Sequence, residues 1–243
     1  MKAYLSEITE SIQGEGTLAG SRQIFLRFCG CNLRCPYCDT VGSLSKTPSC
    51  KIFLKPGSKN DFREYANPLS ISDVVKATAN FDTRWVSLTG GEPLLWADYL
   101  KRLAPILVSK GYRILLETNG TLVENLVDIL EFTAVISMDF KLPSAIGIDL
   151  FPVHKRFLEL AACRPVYVKV VVTPSTEPWE IGEVARIIAG VDATIPLVLQ
   201  PVSLVTSQVA VQAEKLFDLQ LDALKHLEDV RVIPQIHKCL RVT

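Results

Sequence analysis

Cys31, Cys35 and Cys38 fall in the run Cys-Asn-Leu-Arg-Cys-Pro-Tyr-Cys-Asp-Thr, a CxxxCxxC spacing that offers three thiolates. A 4Fe-4S cluster has four irons, so three thiolates leave one iron open. In a chain of this size an open iron reads as the place where S-adenosylmethionine chelates through its amino and carboxylate groups, which makes the cluster a source of radical chemistry rather than an electron wire. A structural zinc site with Cys29 as the fourth ligand is the competing reading. Such sites usually draw on two separated pairs, and no CxxC or HxxxH partner follows downstream. The spacing therefore favours iron and sulfur. Cys50, Cys163 and Cys239 are scattered, and read as small buried hydrophobes.

The elements that must position these groups show as short β-branched runs alternating with segments of helical period, the pattern of a parallel α/β fold. Strands are expected at 23–29, 85–88, 113–117, 134–138, 166–172, 195–199 and 230–233, separated by six helical segments. Ser70 with Asp73 suggests a capping box at the first helix, and Gly111 suits the left-handed position that ends the second, which Pro105 interrupts. The stretch 41–69, rich in Ser, Lys, Pro and Gly, reads as a loop or small insertion in a single domain spanning 1–243. Nearly every chemically unusual residue follows a strand, where parallel barrels build their sites. Thr89-Gly90-Gly91-Glu92-Pro93 follows the second strand, Glu117-Thr118-Asn119-Gly120 the third, Asp139 and Lys141 the fourth, Gln200 the sixth, and Gln235 and His237 the seventh.

Composition sets the surroundings. The chain has 243 residues, 48% of them hydrophobic, with 26 basic and 26 acidic side chains. That length buries enough surface to fold without disulfide staples, and seven cysteines, an odd number, fit a reducing cytoplasm better than an oxidised framework. No signal peptide or membrane span is expected, and zero net charge supplies no overall basic footprint for nucleic acid.

CxxxCxxC after the first strand and Gly-Gly-Glu-Pro after the second resemble the radical S-adenosylmethionine superfamily, which implies a full or partial TIM-like (β/α) barrel. Without β-carbons at Gly90 and Gly91, the backbone can approach the methionine moiety closely. Three further segments narrow the resemblance: Ser11-Ile12-Gln13-Gly14-Glu15-Gly16 before the first strand, Cys38-Asp39-Thr40 closing the cysteine loop, and Pro234-Gln235-Ile236-His237-Lys238 near the end. Together they are similar to 7-carboxy-7-deazaguanine synthases, which contract 6-carboxy-5,6,7,8-tetrahydropterin to 7-carboxy-7-deazaguanine with loss of ammonia, in queuosine and 7-deazapurine biosynthesis.

The resemblance implies that Cys31, Cys35 and Cys38 hold the 4Fe-4S cluster and that Thr40 ligates Mg2+. It gives Ile12, Gln13, Gly14 and Glu15 to the pterin, with Thr89 and His237 beside them and Thr243 closing the pocket. Arg27 would pair with the pterin carboxylate, and strand alternation agrees, putting Phe25, Arg27 and Cys29 on one face. S-adenosylmethionine would lie against Tyr37, Cys38, Asp39, Gly91, Glu92, Ser137, Lys141 and the Gln200-Pro201-Val202-Ser203 loop, with Asp139 standing in for one contact. His154 and His226 fall in helical runs and read as solvated or partly packed.

The implied reaction starts from one electron on the cluster and a hydrogen atom taken from the pterin, with Glu117 and His237 as proton-handling groups. It also implies a reductant such as flavodoxin or ferredoxin, and a homodimer. Two other readings stay open on the residues alone: a radical activase acting on a partner protein, and a non-enzymatic zinc-binding module.

Overall fold

The computed structural model describes residues 1–58, 60–203, 208–240 and 242. Its twelve strands are β1 (Lys2–Ala3), β2 (Leu5–Ile12), β3 (Arg22–Phe28), β4 (Ser49–Phe53), β5 (Phe62–Ala66), β6 (Leu69–Ser70), β7 (Trp85–Gly90), β8 (Arg113–Thr118), β9 (Thr133–Phe140), β10 (Val166–Val172), β11 (Leu197–Pro201) and β12 (Val230–Val232). Its eight helices are α1 (Ile71–Thr78), α2 (Ala97–Ser109), α3 (Val123–Leu126), α4 (Pro143–Ile146), α5 (Phe151–Ala161), α6 (Pro178–Ala189), α7 (Ala213–Leu224) and α8 (Ile236–Leu240). Ten strands form one sheet in the order β12-β11-β10-β9-β8-β7-β3-β2-β4-β5. The seven from β3 to β12 run parallel, one for each strand expected from the sequence. The sheet is open between its edge strands β12 and β5, a partial barrel.

The parallel strands are near-continuous apolar runs because both faces are covered. Outward residues such as Leu26, Leu88, Leu116, Met138, Val170 and Leu199 join helix residues such as Leu100, Leu103, Phe157 and Val184 in one core. Inward, Leu115, Tyr167 and Val198 plug the barrel with Trp85 and Val135 packed against them. Two residues further along the same inner faces come Ser87, Glu117, Ser137, Lys169 and Gln200, so the interior turns from apolar to polar within one step of the pleat.

The caps read from the sequence are present. Ser70 Oγ accepts from the Asp73 N–H while the Asp73 carboxylate accepts from the Ser70 N–H, Gly111 has φ +83°, and Pro105 lies inside α2. The stretch 41–69 holds a single 3-10 turn (Val41–Ser43), the antiparallel β4–β5 pair, and β6. β4 and β5 extend the sheet beyond β2, which itself runs antiparallel to β3, whereas β6 pairs with β1 in a second, two-stranded sheet. Cys50 is buried as expected, but Cys163 and Cys239 are exposed.

His154 corrects the expectation of a solvated or partly packed helical histidine: it is fully buried, its ring 4.3 Å from that of Phe140 and its Nε2 3.0 Å from Asn119 O. Burial pushes its pKa down to about 4. The unfolded chain therefore takes up a proton at His154 from about pH 6.5 downward while the folded chain resists until about pH 4. Stability from this residue is complete above that window and falls by about 3 kcal/mol as pH drops through it, roughly 2 kcal/mol of which is gone by pH 5. Anaerobic urea denaturation at pH 7.5 and pH 5 should show a smaller acid loss in His154→Phe than in wild type. An equal loss in both proteins would remove His154 as the cause.

Candidate active site

A cavity of about 800 Å³ opens at the C-terminal ends of the parallel strands. Cys31, Cys35 and Cys38 line it, on the loop that leaves β3. All three are free thiols. Burial pushes each of them up, an effect opposed in part by the nearby Lys141 ammonium. Cys29 is not part of the thiol set: it is buried, off the cavity lining, and 3.6 Å from Thr47 Oγ1.

The segment after β2 supplies the next wall. Gln13 Nε2 donates to Glu117 Oε1 at 2.6 Å, and Gln13 Oε1 accepts from the Glu15 N–H at 3.1 Å. Ser87 Oγ donates to Glu117 Oε1 at 2.6 Å and Thr89 Oγ1 to Glu117 Oε2 at 2.8 Å, so Glu117 gathers three donors, two from β7 and one from the segment after β2. A β-carbon on Gly14 would overlap His237 Nδ1 and stand 2.6 Å from His237 Cβ, which is why glycine lies where α8 closes over this segment. Arg27 lines the cavity with Phe25; its Nε donates to Glu7 Oε1 at 2.6 Å and its guanidinium lies 5.4 Å from the Phe25 ring centre.

Charge converges between these walls. Gln235 Nε2 donates both to Glu15 Oε1 at 2.7 Å and to Asp39 Oδ2 at 2.8 Å. Lys169 pairs with Glu15 Oε2 and, at 3.0 Å, with Asp139 Oδ1. Lys141 pairs with Asp139 Oδ2 at 3.0 Å and lies 5.4 Å from the centre of the Tyr37 ring. Burial alone would push the carboxyls of Glu15, Asp39 and Asp139 up, but these cations and donors outweigh it and hold all three below their ordinary range. Burial pushes the His237 imidazole down, against the pull of Glu15 and Asp39. Burial pushes the Tyr37 phenol up to about 12, so it stays a neutral face for its neighbours.

The comparisons with known proteins agree with this geometry. A sequence profile of the Radical SAM superfamily matches residues 26–145, the span holding the cysteine loop and strands β7 to β9. A 7-carboxy-7-deazaguanine synthase from Geobacter sulfurreducens is 41% identical over 243 aligned residues, covering 97% of this chain and 96% of that one. The chain belongs to the 7-carboxy-7-deazaguanine synthase family. Another member, from Methanothermobacter thermautotrophicus, is 36% identical over 99% of this chain and 98% of its own. QueE from Escherichia coli shares the fold with a TM-score of 0.64, at 20% identity, over 97% of this chain and 94% of that one. A radical SAM methyltransferase from Sphaerobacter thermophilus follows at 0.60, over 88% and 66% of the two chains at 16% identity.

Membership in the 7-carboxy-7-deazaguanine synthase family implies a 4Fe-4S cluster and S-adenosylmethionine. The donor set fits: three half-buried thiols share one wall of the cavity, and the fourth nearby cysteine, Cys29, is buried off its lining beside Thr47. Among the described residues expected at the cofactor, Tyr37, Cys38, Asp39, Gly91, Asp139, Lys141, Gln200 and Val202 line the cavity. Others do not. Glu92 is fully buried, its carboxylate accepting from the Leu94 and Asn119 N–H groups and from Thr118 Oγ1, and burial pushes it up to about 7 against those donors. It braces the strand ends rather than facing a ligand. Ser137 is buried and, like Pro201 and Ser203, lies off the lining, with Ser203 in a bridge with Val209. Gly91 makes room for protein backbone, since a β-carbon there would overlap Gly30 O.

Of the residues expected at the substrate or at magnesium, Ile12, Gln13, Gly14, Glu15, Arg27, Thr40, Thr89, Glu117 and His237 all line the cavity. Thr243 lies outside the described residues. Thr40 Oγ1 donates to Asp39 Oδ1 at 3.0 Å. Beside it, ligand atoms of Glu15, Asp39 and His237 lie within 4.8 Å of one another, although Gln235, Lys169 and Thr40 already donate to the two carboxylates. Lys169 was missed in the sequence despite a visible signal: it is the one charge in Val-Tyr-Val-Lys-Val-Val-Val, a strand buried on both faces, where a charge must meet a partner.

Proposed function

We propose that this chain contracts 6-carboxy-5,6,7,8-tetrahydropterin to 7-carboxy-7-deazaguanine with release of ammonia. The observation that carries the reading is the cavity's two-sided character: three thiols on one wall, and Arg27, Gln13, Glu15 and Glu117 converging from the others. Cys31, Cys35 and Cys38 would hold the cluster, and Tyr37, Asp139, Lys141 and Gln200 would surround S-adenosylmethionine. The bound cluster and cofactor supply one-electron cleavage and removal of a hydrogen atom from the substrate.

The chain's own residues do the rest. Arg27 offers its guanidinium to the pterin carboxylate, and its tether to Glu7 fixes the direction of the fork. The ionised Glu15 suits the N–H edge of an aminopyrimidinone. Glu117, locked by three donors, and His237 stand where a proton can be held during loss of ammonia. Thr40 is the proposed magnesium ligand, with substrate oxygens and water completing the shell. A pocket walled by strands and α8 keeps water from a reactive carbon centre.

No helix among the described residues is long and apolar enough to cross a membrane. The proposed enzyme is cytoplasmic, draws on a reductant such as flavodoxin or ferredoxin, and works as a homodimer. The test is anaerobic turnover of the reconstituted protein with 6-carboxytetrahydropterin, S-adenosylmethionine, magnesium and dithionite. Mass spectrometry should find 7-carboxy-7-deazaguanine, and cofactor cleavage without it would overturn the substrate assignment. Arg27→Met should raise KM about ten- to a hundredfold, the worth of one charged contact. An unchanged KM would take Arg27 off the carboxylate.

A further inference from the structure

Seven side chains joined by six contacts ring the cavity, the backbone from Tyr37 to Asp39 closing the circuit. From the cysteine loop, the Tyr37 ring meets Lys141, whose ammonium pairs with Asp139 on β9. Asp139 pairs with Lys169 on β10, and Lys169 with Glu15 after β2. Glu15 accepts from Gln235 beside α8, and Gln235 donates again to Asp39, two residues from Tyr37. The three carboxylates of the ring face three ammonium groups, Lys141, Lys169 and Lys238, the last 3.8 Å from Asp39 Oδ2. Lys169 is 7% exposed and is the link between Glu15 and Asp139, which lie on different elements.

We propose that Lys169 is a positioning residue that sets the register between the two molecules bound in the cavity, by holding Glu15 on the pterin side and Asp139 on the S-adenosylmethionine side with one ammonium group. This rests on the function proposed above. Burial disfavours the ammonium, yet Asp139 and Glu15 hold it well above the ordinary lysine range, so Lys169 keeps its proton and acts as a fixed charge rather than an acid. A fixed cation between two carboxylates limits how far either can drift, and a hydrogen atom passes between bound molecules only when they meet within contact distance. Without Lys169, cofactor cleavage should become detached from ring contraction. Each abortive event takes two electrons from dithionite and one proton from water, the first electron to cleave the cofactor and the second, with the proton, to quench the 5'-deoxyadenosyl radical, and so turns one S-adenosylmethionine into methionine and 5'-deoxyadenosine.

The test compares wild type, Lys169→Met and Lys169→Arg, each reconstituted and matched for iron content and melting temperature. Two readouts are taken: equilibrium binding of S-adenosylmethionine with and without the pterin, and 5'-deoxyadenosine formed per deazaguanine. In wild type the pterin should tighten cofactor binding. In Lys169→Met that tightening should vanish, and the ratio of 5'-deoxyadenosine to product should rise at least about tenfold, one charged contact's worth, with partial return in Lys169→Arg. A Lys169→Met protein that keeps the tightening and the wild-type ratio overturns the proposal. Should Lys169→Met fail to hold iron, Asp139→Asn cuts the same link with Lys169 still paired to Glu15, and must show the same detachment or the proposal falls. A wild type that cleaves cofactor but makes no deazaguanine overturns the functional reading and the proposal with it, whereas normal wild-type turnover beside unaffected variants overturns the proposal alone.

Discussion

Gly91→Ala is expected to leave the protein unable to hold iron. The new β-carbon would overlap Gly30 O and stand 2.6 Å from the Gly30 carbonyl carbon and 2.9 Å from Ser43 O. All of these are backbone atoms, so no side chain can rotate away. The segment is also laced in place: Gly91 N–H donates to Phe28 O at 2.9 Å, Glu92 N–H to Gly30 O at 2.7 Å, and Gly30 N–H to Ser43 O at 2.8 Å. Relief requires the loop that begins at Cys31 to move outward, taking the three thiols with it. Overpacking of this kind typically costs about 1–3 kcal/mol, and more when backbone must shift. Iron per chain after reconstitution, the visible absorbance of the cluster and the melting temperature read the result together. Wild-type iron content at an unchanged melting temperature would show that the loop yields cheaply and that Gly91 is not what sets its path.

Glu117→Gln should be the most damaging of the isosteric changes. The carboxylate accepts from Gln13, Ser87 and Thr89, and Gln13 in turn accepts from the Glu15 N–H. An amide in its place carries no charge: turned toward Gln13 its NH2 group meets another donor, which cannot flip without releasing Glu15, and turned toward Thr89 it is held only if that hydroxyl reverses to accept. Removing the charge from three charge-assisted hydrogen bonds amounts to about 3–4 kcal/mol, or a hundred- to a thousandfold in kcat/KM. Cofactor binding in the absence of pterin should be nearly unchanged, because Glu117 lies on the substrate side. A fall of less than tenfold, or an equal fall in cofactor affinity, would contradict that placement.

The parallel strands were legible because burial on both faces leaves unbroken apolar runs, as in Val166 to Val172. β2 was not legible: Leu5 to Ile12 carries two glutamates, two serines and a threonine, yet Thr9, Glu10 and Ser11 are buried, with Glu10 paired to Arg22. Thr9 and Ser11 share the inner face with Phe25 and Glu10 lies on the opposite one, and polar residues buried on either face look like surface in a linear reading. The β4–β5 pair was hidden for the opposite reason, since Phe62 to Ala66 is mostly exposed and carries no strong period. Among the site residues, motif positions such as Cys31, Gln13 and Arg27 were readable one by one. The meeting of Glu15, Asp39, Gln235 and Lys169 was not, because it joins four segments that only the sheet order brings together.

That spread along the chain also orders the steps by which the enzyme comes into being. The cysteine loop follows β3, early in the chain, and every strand that walls it except β11 and β12 is synthesised before residue 173. Gln235 and His237, which finish the pterin side, arrive last. Contacts spanning 220 residues, such as Gln235 to Glu15, carry the largest loop-closure cost and are among the slowest to form. The thiols are thus assembled while the mouth of the barrel is still open. A metal cluster can be delivered through that mouth before α8 shuts it.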